Sequence, residues 1–205
     1  MRATSPLDTP WKVDNELRRY LTWPFIRLYF ARHGVAWGPD WRIFGTPLIQ
    51  RHRDSQIHIG PHFEMRNWLG SNPLGVNHRC ILATWTAGAA ITIGASTGLT
   101  GATLCAASSI SIGRQVRIGA NSTITDTDFH PLELNERRLN PRNGQMAPVI
   151  IEDDVFIGMH ALVLKGSHIG RGSVIGAGSV VTGCIPAGVI VAGNPARIVR
   201  ELAHD

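Results

Sequence analysis

A spacing of six residues runs through the C-terminal third of the chain. Aliphatic residues recur there at every sixth position, and a small or slim residue lies four positions after each of the first five. The aliphatic set is Ile151, Ile157, Val163, Ile169, Ile175 and Val181, and the small set is Val155, Ala161, Ser167, Ser173 and Ser179. A strict period of six fits neither an α-helix nor an alternating strand. It fits a prism of short strands joined by turns, so the sequence predicts a β-solenoid whose coils pair above and below.

The repeat continues in weaker form toward the N-terminus. A second train consists of Ile112, Ile118 and Ile124, with Val116 and Ser122 at the small positions. This train opens at Ile93, Thr97 and Leu99, with one extra residue before Ile112. An earlier, degraded coil contains Ile59, Phe63 and Met65. Glycine follows an inward aliphatic residue at Gly158, Gly170 and Gly176, where the missing Cβ would relieve crowding at a corner.

The two ends of the chain have other patterns. Within residues 11–33, apolar residues recur at helical spacing between arginines, and Pro24 interrupts them; the set is Leu17, Tyr20, Leu21, Phe25, Leu28 and Tyr29. We predict one or two short helices here that cap the open first coil. The alternative role is a basic amphipathic segment lying on a membrane. At the other end, residues 195–203 predict a short basic helix.

These patterns predict a helical cap over residues 1–40, a β-helix over 41–200 with a protruding loop at 125–148, and a tail at 201–205. The net charge of +5 and the pI near 9.7 favour an anionic partner. No basic stripe interleaved with aromatic residues occurs, which argues against nucleic acid. Three widely spaced cysteines, and the lack of a signal-peptide pattern or a membrane-spanning apolar run, predict a cytoplasmic protein.

The aliphatic train stops at Ile124 and resumes at Ile151, 27 residues later, which is not a multiple of six. The intervening segment is polar and marked by prolines, and long excursions from a regular scaffold are often functional. His130 lies where the segment leaves the coil, with Asp126 and Asp128 close enough in sequence to accept a hydrogen bond from its ring. A histidine oriented by a carboxylate is a common general base. His130 is therefore a candidate general base, although the residues alone fit an ordinary loop histidine equally or better.

The repeats resemble those of the hexapeptide-repeat transferases. The phrase ITDTDFHP, between the two trains, is similar to the catalytic segment of sugar and polysaccharide O-acetyltransferases related to the maltose and galactoside enzymes. The phrases NPLGVNH (72–78) and STGLTGATLCAA (96–107) resemble the exopolysaccharide-modifying branch. Over roughly residues 41–200 the resemblance implies a mainly β, left-handed parallel β-helix. It also implies acetyl-CoA as co-substrate, no metal, and a sugar hydroxyl that His130 deprotonates for direct attack on the thioester.

The same resemblance implies residues that bind each substrate. Segments 155–158 and 176–179 would hold the pantetheine arm, and basic residues near the C-terminus would meet the adenosine phosphates. The cofactor set is Phe156, Gly158, Met159, Lys165, Gly176, Ala177, Gly178, Ser179, Arg197 and Arg200, and the acceptor set is Asn77, His78, Thr100, Glu133 and Arg137. Three prisms associate in this family, so the resemblance implies a homotrimer in which His130 of one subunit meets the cofactor contacts of the next.

Two positions depart from the family pattern. Phe156 replaces a tryptophan, and Gly183-Cys184 replaces a Lys-Asp pair, so one expected cationic contact to CoA is missing. No cysteine lies beside His130 in sequence, which favours direct transfer over a covalent acyl-enzyme. Two other functions stay open: a non-catalytic scaffold or binding module, and a γ-class carbonic anhydrase-like metalloenzyme, which would need three converging histidines.

Overall fold

The computed structural model describes residues 8–202, which form two helices and twenty strands besides a short 3-10 turn. In chain order these are α1 (Pro10–Arg32), β1 (Arg42–Phe44), β2 (Leu48–Arg51), β3 (Gln56–Ile59), β4 (Glu64–Arg66), β5 (Ile81–Thr84), β6 (Ala90–Ile93), β7 (Gly98–Thr100), β8 (Thr103–Ala106), β9 (Ser109–Ile112), β10 (Arg117–Ile118), β11 (Thr123–Thr125), α2 (Leu134–Leu139), β12 (Val149–Ile151), β13 (Phe156–Ile157), β14 (Leu162–Val163), β15 (His168–Ile169), β16 (Val174–Ile175), β17 (Val180–Val181), β18 (Cys184–Ile185), β19 (Val189–Gly193) and β20 (Ala196–Glu201).

The strands form three sheets that are the walls of a prism, here named faces A, B and C. Face A contains β1, β4, β7, β10, β13, β16, β19 and β20; face B contains β2, β5, β8, β11, β14 and β17; face C contains β3, β6, β9, β12, β15 and β18. Successive strands visit A, B and C in turn, and each pairs in parallel with the strand one coil away. The predicted β-solenoid is confirmed.

The strand register reproduces the period of six. Ile157 pairs with Ile175 and Val163 with Val181, so a coil takes 18 residues, or three hexads. Ile93 pairs with Ile112, one residue further apart, which confirms the extra residue predicted in that coil.

The predicted inward residues fill the prism. Every aliphatic position of the two trains is at most 2% exposed. The small positions lie at the corners, where Ser122 donates from Oγ to the carbonyl of Gly158 (2.9 Å) and Ser173 to that of Pro186 (2.6 Å). Burying an aliphatic side chain of this size stabilises the fold by about 1.5–3 kcal/mol, and the hydroxyls satisfy carbonyls that the turns leave unpaired.

The corner glycines are required by the stacking of coils. A Cβ on Gly158 would lie 2.6 Å from the backbone nitrogen of Ala177, and one on Gly170 would lie 2.5 Å from that of Ala187. These contacts are with backbone of the next coil, which cannot move aside. The crowding predicted from the sequence is confirmed.

The N-terminal segment forms a single helix rather than two short ones. Pro24 lies inside α1 on its exposed side, where water can bond the Tyr20 carbonyl that proline leaves unpaired. Ile26 and Phe30 reach the core of the first coil. The helix is rotated so that most of the apolar residues at helical spacing face outward. Of that set only Tyr29 is half-buried.

Polar contacts fix this rotation of α1. The amide of Asn15 donates to the carbonyl of Gly70 (2.9 Å) and accepts from the Trp68 indole (2.8 Å). Glu16 binds Arg19 at 2.8 Å and also contacts Arg42 on β1. Burial alone would raise the pKa of Glu16, but the two guanidinium groups hold it below its ordinary value.

The predicted C-terminal helix is wrong within the described residues. Residues 196–201 form β20, which runs antiparallel to β19 after a turn at Asn194-Pro195. The edge of β19 offers unpaired backbone groups, and a returning strand with β-branched Ile198 and Val199 satisfies them. The solenoid is therefore closed by a hairpin.

Candidate active site

The excursion between β11 and β12 is an ordered hairpin-like stalk at the B–C corner of the prism. Its base is held by paired backbones: Ala147 N–H donates to Asp126 C=O (2.9 Å), and Asp128 N–H donates to Gln145 C=O (3.0 Å). An isolated antiparallel bridge joins Thr127 to Met146 between them. The tip of the stalk carries α2. The polar segment that was predicted to leave the coil therefore has regular hydrogen-bonded structure.

His130 lies exposed on this stalk. Its Nδ1 contacts the backbone carbonyl of Pro141. Because a carbonyl can only accept, Nδ1 carries the proton and Nε2 presents its lone pair outward. The sequence prediction of a carboxylate partner from Asp126 or Asp128 is wrong for this conformation, since a backbone group orients the ring instead.

Asp126 is buried and secures the root of the stalk. Its two carboxylate oxygens accept from the backbone N–H groups of Ala107 (2.6 Å) and Ser108 (2.7 Å) in the coil below. Burial raises the pKa of Asp126, and the amide donors work against that rise. Asp126 therefore positions the excursion and does not touch the ring of His130.

Asp128 and Lys165 form an ion pair at the same corner. The Nζ of Lys165 lies 3.3 Å from Asp128 Oδ2, an atom closed off from solvent. Lys165 therefore lies apart from the other cofactor candidates within one chain, and its place in the cofactor set stays a prediction. Its position after β14 turns it toward the excursion, whereas the other cofactor candidates lie on face A or its A–B corner.

Two contacts beside His130 were not predicted from the sequence, and both hold its peptide in place. Phe129 adopts a left-handed backbone conformation (φ 62°), and its ring packs edge-on against Trp85 with centroids 6.0 Å apart. Gly144 lies against the same point, where a Cβ would be 2.5 Å from the carbonyl carbon of Phe129 and 2.6 Å from the nitrogen of His130. A glycine in the returning arm of a predicted loop was the only available signal.

A cleft of about 800 Å³ runs along face A. Its N-terminal half is lined by charged side chains, including Arg42, Glu64, Arg66 and Arg117, and its C-terminal half by apolar ones. Five predicted cofactor residues line that apolar half: Phe156, Gly158, Met159, Gly176 and Ala177. The structure therefore brings most of the predicted pantetheine-binding residues together.

The remaining cofactor candidates differ in their access to the cleft. Gly178 is exposed at the adjoining corner, whereas the Ser179 hydroxyl is buried in the prism and accepts from the N–H of Gly193 (3.2 Å). Arg197 and Arg200 are exposed on β20, two strands beyond β16 in face A, or roughly 10 Å along the sheet. Both arginines thus lie past the apolar end of the cleft.

The acceptor candidates do not converge within one chain. Thr100 lines the cleft, and Asn77 and His78 are exposed at the A–B corner, where Asn77 N–H donates to Asn121 Oδ1 (2.9 Å). Glu133 and Arg137 lie on the excursion, where Arg137 donates to the Leu132 carbonyl (3.0 Å). The acceptor candidates are therefore divided between the cleft side of the prism, where the cofactor candidates lie, and the excursion, where His130 lies.

No residue of the excursion lines the face A cleft among the residues that the structure describes. The stalk leaves the prism between faces B and C, on the far edge of face B from the A–B corner. The base and the cleft of one subunit are therefore separated. The stalk and the cleft nevertheless lie at one level of the solenoid. The charged and apolar halves of the cleft meet at β10 and β13, and the stalk lies between these two strands in the chain.

The cysteines and the possible metal ligands bear on the chemistry. Burial raises the pKa of Cys80 to about 12, and burial together with Asp126 raises that of Cys105. Both are therefore held as thiols and are poor nucleophiles. Within residues 8–202, no group of three or more His, Cys, Asp or Glu side chains is arranged to hold a metal ion.

Comparison with known proteins identifies the repeat. Residues 148–183 match the family described as bacterial transferase hexapeptide (six repeats). A Schizosaccharomyces pombe protein is 42% identical over 96 residues, or 47% of this chain and 45% of that protein. Its name describes it provisionally as an acetyltransferase. A 2,3,4,5-tetrahydropyridine-2,6-dicarboxylate N-acetyltransferase of Staphylococcus aureus is 35% identical over 92 residues, or 45% of this chain and 33% of that enzyme. The chain matches less than half the length of these relatives.

Solved structures match almost the whole chain. A hexapeptide-repeat acetyltransferase of Vibrio cholerae, complexed with acetyl-CoA, superposes with a TM-score of 0.57 at 21% identity and covers 98% of this chain and 94% of its own. A maltose O-acetyltransferase of Clostridium difficile gives 0.52 at 24% identity, covering 98% and 92%. These structures show that the chain has the left-handed parallel β-helix fold, and the family match shows hexapeptide repeats over residues 148–183. The predicted fold class and the resemblance to this family are confirmed.

Proposed function

We propose that the protein is an acetyl-CoA-dependent O-acetyltransferase that acetylates a hydroxyl of a sugar or saccharide precursor, with His130 as general base. The observation that carries the proposal is the orientation of His130. Its Nδ1–H is directed to the Pro141 carbonyl, and its Nε2 is exposed just above the paired base of the stalk. A base held this way can accept a proton without first breaking a hydrogen bond.

The transfer itself needs one base and good positioning. Nε2 of His130 takes the proton of the acceptor hydroxyl as its oxygen attacks the thioester carbonyl carbon of acetyl-CoA. The tetrahedral intermediate then expels the CoA sulfur, which receives the proton from the imidazolium, leaving an acetyl ester and free CoA. No covalent enzyme intermediate is required, in keeping with the thiol state of Cys80 and Cys105.

The face A cleft has the character that acetyl-CoA requires. The apolar half, with Phe156 and Met159, suits the pantetheine arm, and Arg197 and Arg200 beyond it suit the phosphates, because guanidinium groups can donate two bonds to one phosphate. The charged half offers both donors and acceptors to a polar acceptor. The thioester would then lie between the halves, near Arg117 and Phe156.

We further propose that the site is completed in a homotrimer. Base and cleft are at one level of the solenoid but on different edges of the chain. In a closed ring of parallel prisms, the stalk of one subunit can face the cleft of the next. Glu133 and Arg137 of the stalk would join Thr100, Asn77 and His78 of the neighbouring wall around the acceptor.

The test is acetyl transfer by His130→Ala, followed as release of CoA thiol over a panel of sugars, nucleotide sugars and amino sugars. A positioned base contributes about 10²–10⁴-fold, so kcat/KM should fall by that factor with little change in acetyl-CoA affinity or Tm. His58→Ala is the matched control, since His58 is exposed on face C and its ring contacts only Gln56.

Three results would contradict the proposal. If His130→Ala keeps more than about a tenth of wild-type kcat/KM, His130 is not the base. Acetylation restricted to amino groups would place the protein with N-acetyltransferases such as its Staphylococcus aureus relative. A wild-type protein that neither binds CoA resin nor consumes acetyl-CoA would be a scaffold.

A further inference from the structure

Helix α1 presents an apolar surface to the outside of the molecule. Its side chains recur at helical spacing and are between 50% and 74% exposed; we name this surface the outer stripe, and it consists of Val13, Leu17, Tyr20, Leu21, Phe25 and Leu28. The face turned to the protein carries Ile26 and Phe30 but also Asn15 and Arg19. A surface helix ordinarily buries its apolar stripe, so this orientation is reversed.

The reversed orientation is enforced by specific contacts. Asn15 bonds Gly70 and Trp68, Glu16 contacts Arg42 on β1, and Phe30 stacks edge-on against Trp41 with centroids 5.5 Å apart. Rotating α1 to bury the outer stripe would break all of these and would expose Phe30. The stripe is therefore a fixed surface of this chain.

The charge along the outer stripe is basic from Leu17 onward, whereas at its N-terminal end Asp14 forms an ion pair with Arg18 (3.0 Å). Residues 17–39 include four arginines and no aspartate or glutamate. Arg18, Arg27 and Arg32 are exposed beside the stripe, and Arg27 lies 5.4 Å from the ring centroid of Trp23. Partly exposed tryptophans, Trp11 and Trp23, mark its sides. An apolar stripe with tryptophans at its sides and arginines beyond them is typical of helices that lie in a lipid interface.

We propose that α1 binds the surface of an anionic lipid bilayer, with the outer stripe in the boundary between headgroups and acyl chains and the arginines at the phosphates. The helix would lie on the membrane. Among residues 8–202 there is no helix long and apolar enough to cross one. A symmetric contact with a second copy is less favourable, because it would bring the arginine rows together. This proposal does not depend on the proposed transferase activity.

The experiment is flotation of the full chain with vesicles of phosphatidylcholine alone or mixed with phosphatidylglycerol. We expect binding to the anionic vesicles, weakened at about 0.5 M salt because the arginine contacts are then screened. The triple variant Leu17→Glu, Phe25→Glu, Leu28→Glu should lose more than about tenfold in binding. The control Leu139→Glu, Ile150→Glu, which alters exposed apolar residues on the excursion and on face C, should bind as wild type.

A second variant guards against misfolding of the first. Arg18→Gln, Arg27→Gln, Arg32→Gln leaves the apolar residues in place and should also lose more than about tenfold in binding to anionic vesicles. Absence of wild-type binding, or equal binding by wild type and both triple variants, overturns the proposal. A changed assembly mass of the stripe variant in light scattering also overturns it, since the stripe would then be a contact between subunits.

Discussion

Backbone groups orient His130 at two points, one at its ring and one at its peptide. The Pro141 carbonyl fixes the tautomer, while the Gly144 backbone fills the space behind residues 129 and 130. A carbonyl partner stabilises an imidazolium less than a carboxylate does, which suits the proposed role of His130, because the proposed base would return its proton to the CoA sulfur. The precision of the site therefore depends on the two arms of the stalk staying together.

Gly144→Ala tests this dependence. The new Cβ would overlap the backbone of Phe129 and His130, so the two arms must separate by a few tenths of an ångström or more. We expect kcat to fall by about tenfold or more with unchanged affinity for acetyl-CoA, because misplaced bases lose rate steeply. Steady-state kinetics and CoA titration measure the two effects.

Gly183→Ala is the matched control for this substitution, because nothing lies within 4 Å of a Cβ built there. It should leave kcat unchanged. An undiminished kcat in Gly144→Ala would show that the stalk adapts and that His130 does not require this contact.

Arg197 should act on binding rather than on chemistry. A phosphate contact is made equally in the ground and transition states, so Arg197→Ala should raise the KM for acetyl-CoA about tenfold while kcat stays nearly constant. Arg53→Ala, an arginine with a 91% exposed side chain, is the control. A KM equal to wild type would mean that the cofactor phosphates are held elsewhere.

At the scale of elements, a buried carboxylate secures the root of the stalk to the prism. Asp126 joins the excursion to two amides in the coil below, at Ala107 and Ser108. The stalk therefore has a rigid root although it leaves the repeat. The same carboxylate explains why an exposed loop carries extended backbone pairing on both arms.

Asp126→Ala should lower stability and activity together. Two backbone N–H groups would lose their acceptor, and leaving a buried donor unpaired costs about 1–3 kcal/mol. We expect a lower Tm in thermal unfolding and a reduced kcat. Asp54→Ala, at an exposed site, provides the comparison and should change neither. A wild-type Tm for Asp126→Ala would show that water replaces the carboxylate fully.

At the scale of the whole molecule, the separation of the stalk from the cleft makes assembly part of the proposed catalysis. Light scattering should give a mass near three times the 22.3 kDa of one chain. A monomer at micromolar concentration would contradict the trimer.

Mixed assemblies test the shared site directly. His130→Ala removes the base, and Ala177→Trp should fill the cleft; each variant alone should be inactive. Co-expressed, they should recover activity at about one site in four, because random assortment in a ring places an intact stalk beside an intact cleft that often. No recovery in mixed assemblies of wild-type mass would show that one chain supplies both parts of the site.

The sequence determined those features that repeat or that break a repeat. Inward aliphatic positions, small corners and glycines after them were predictable, because every coil imposes the same steric limit on the same position. The break in the train indicated the excursion and singled out His130. The cleft residues from Phe156 to Ala177 followed from the family resemblance, since they lie on one regular face.

Only the tertiary structure decided which partners meet across sequence. The sequence placed Asp126 and Asp128 near His130, yet the coils direct them to Ala107, Ser108 and Lys165 instead. The outward rotation of α1 depends on contacts with Gly70 and Trp68, and the strand form of residues 196–201 depends on the open edge of β19. Each outcome is set by hydrogen-bond partners that only stacking of the coils brings within reach, so local periodicity could not specify them.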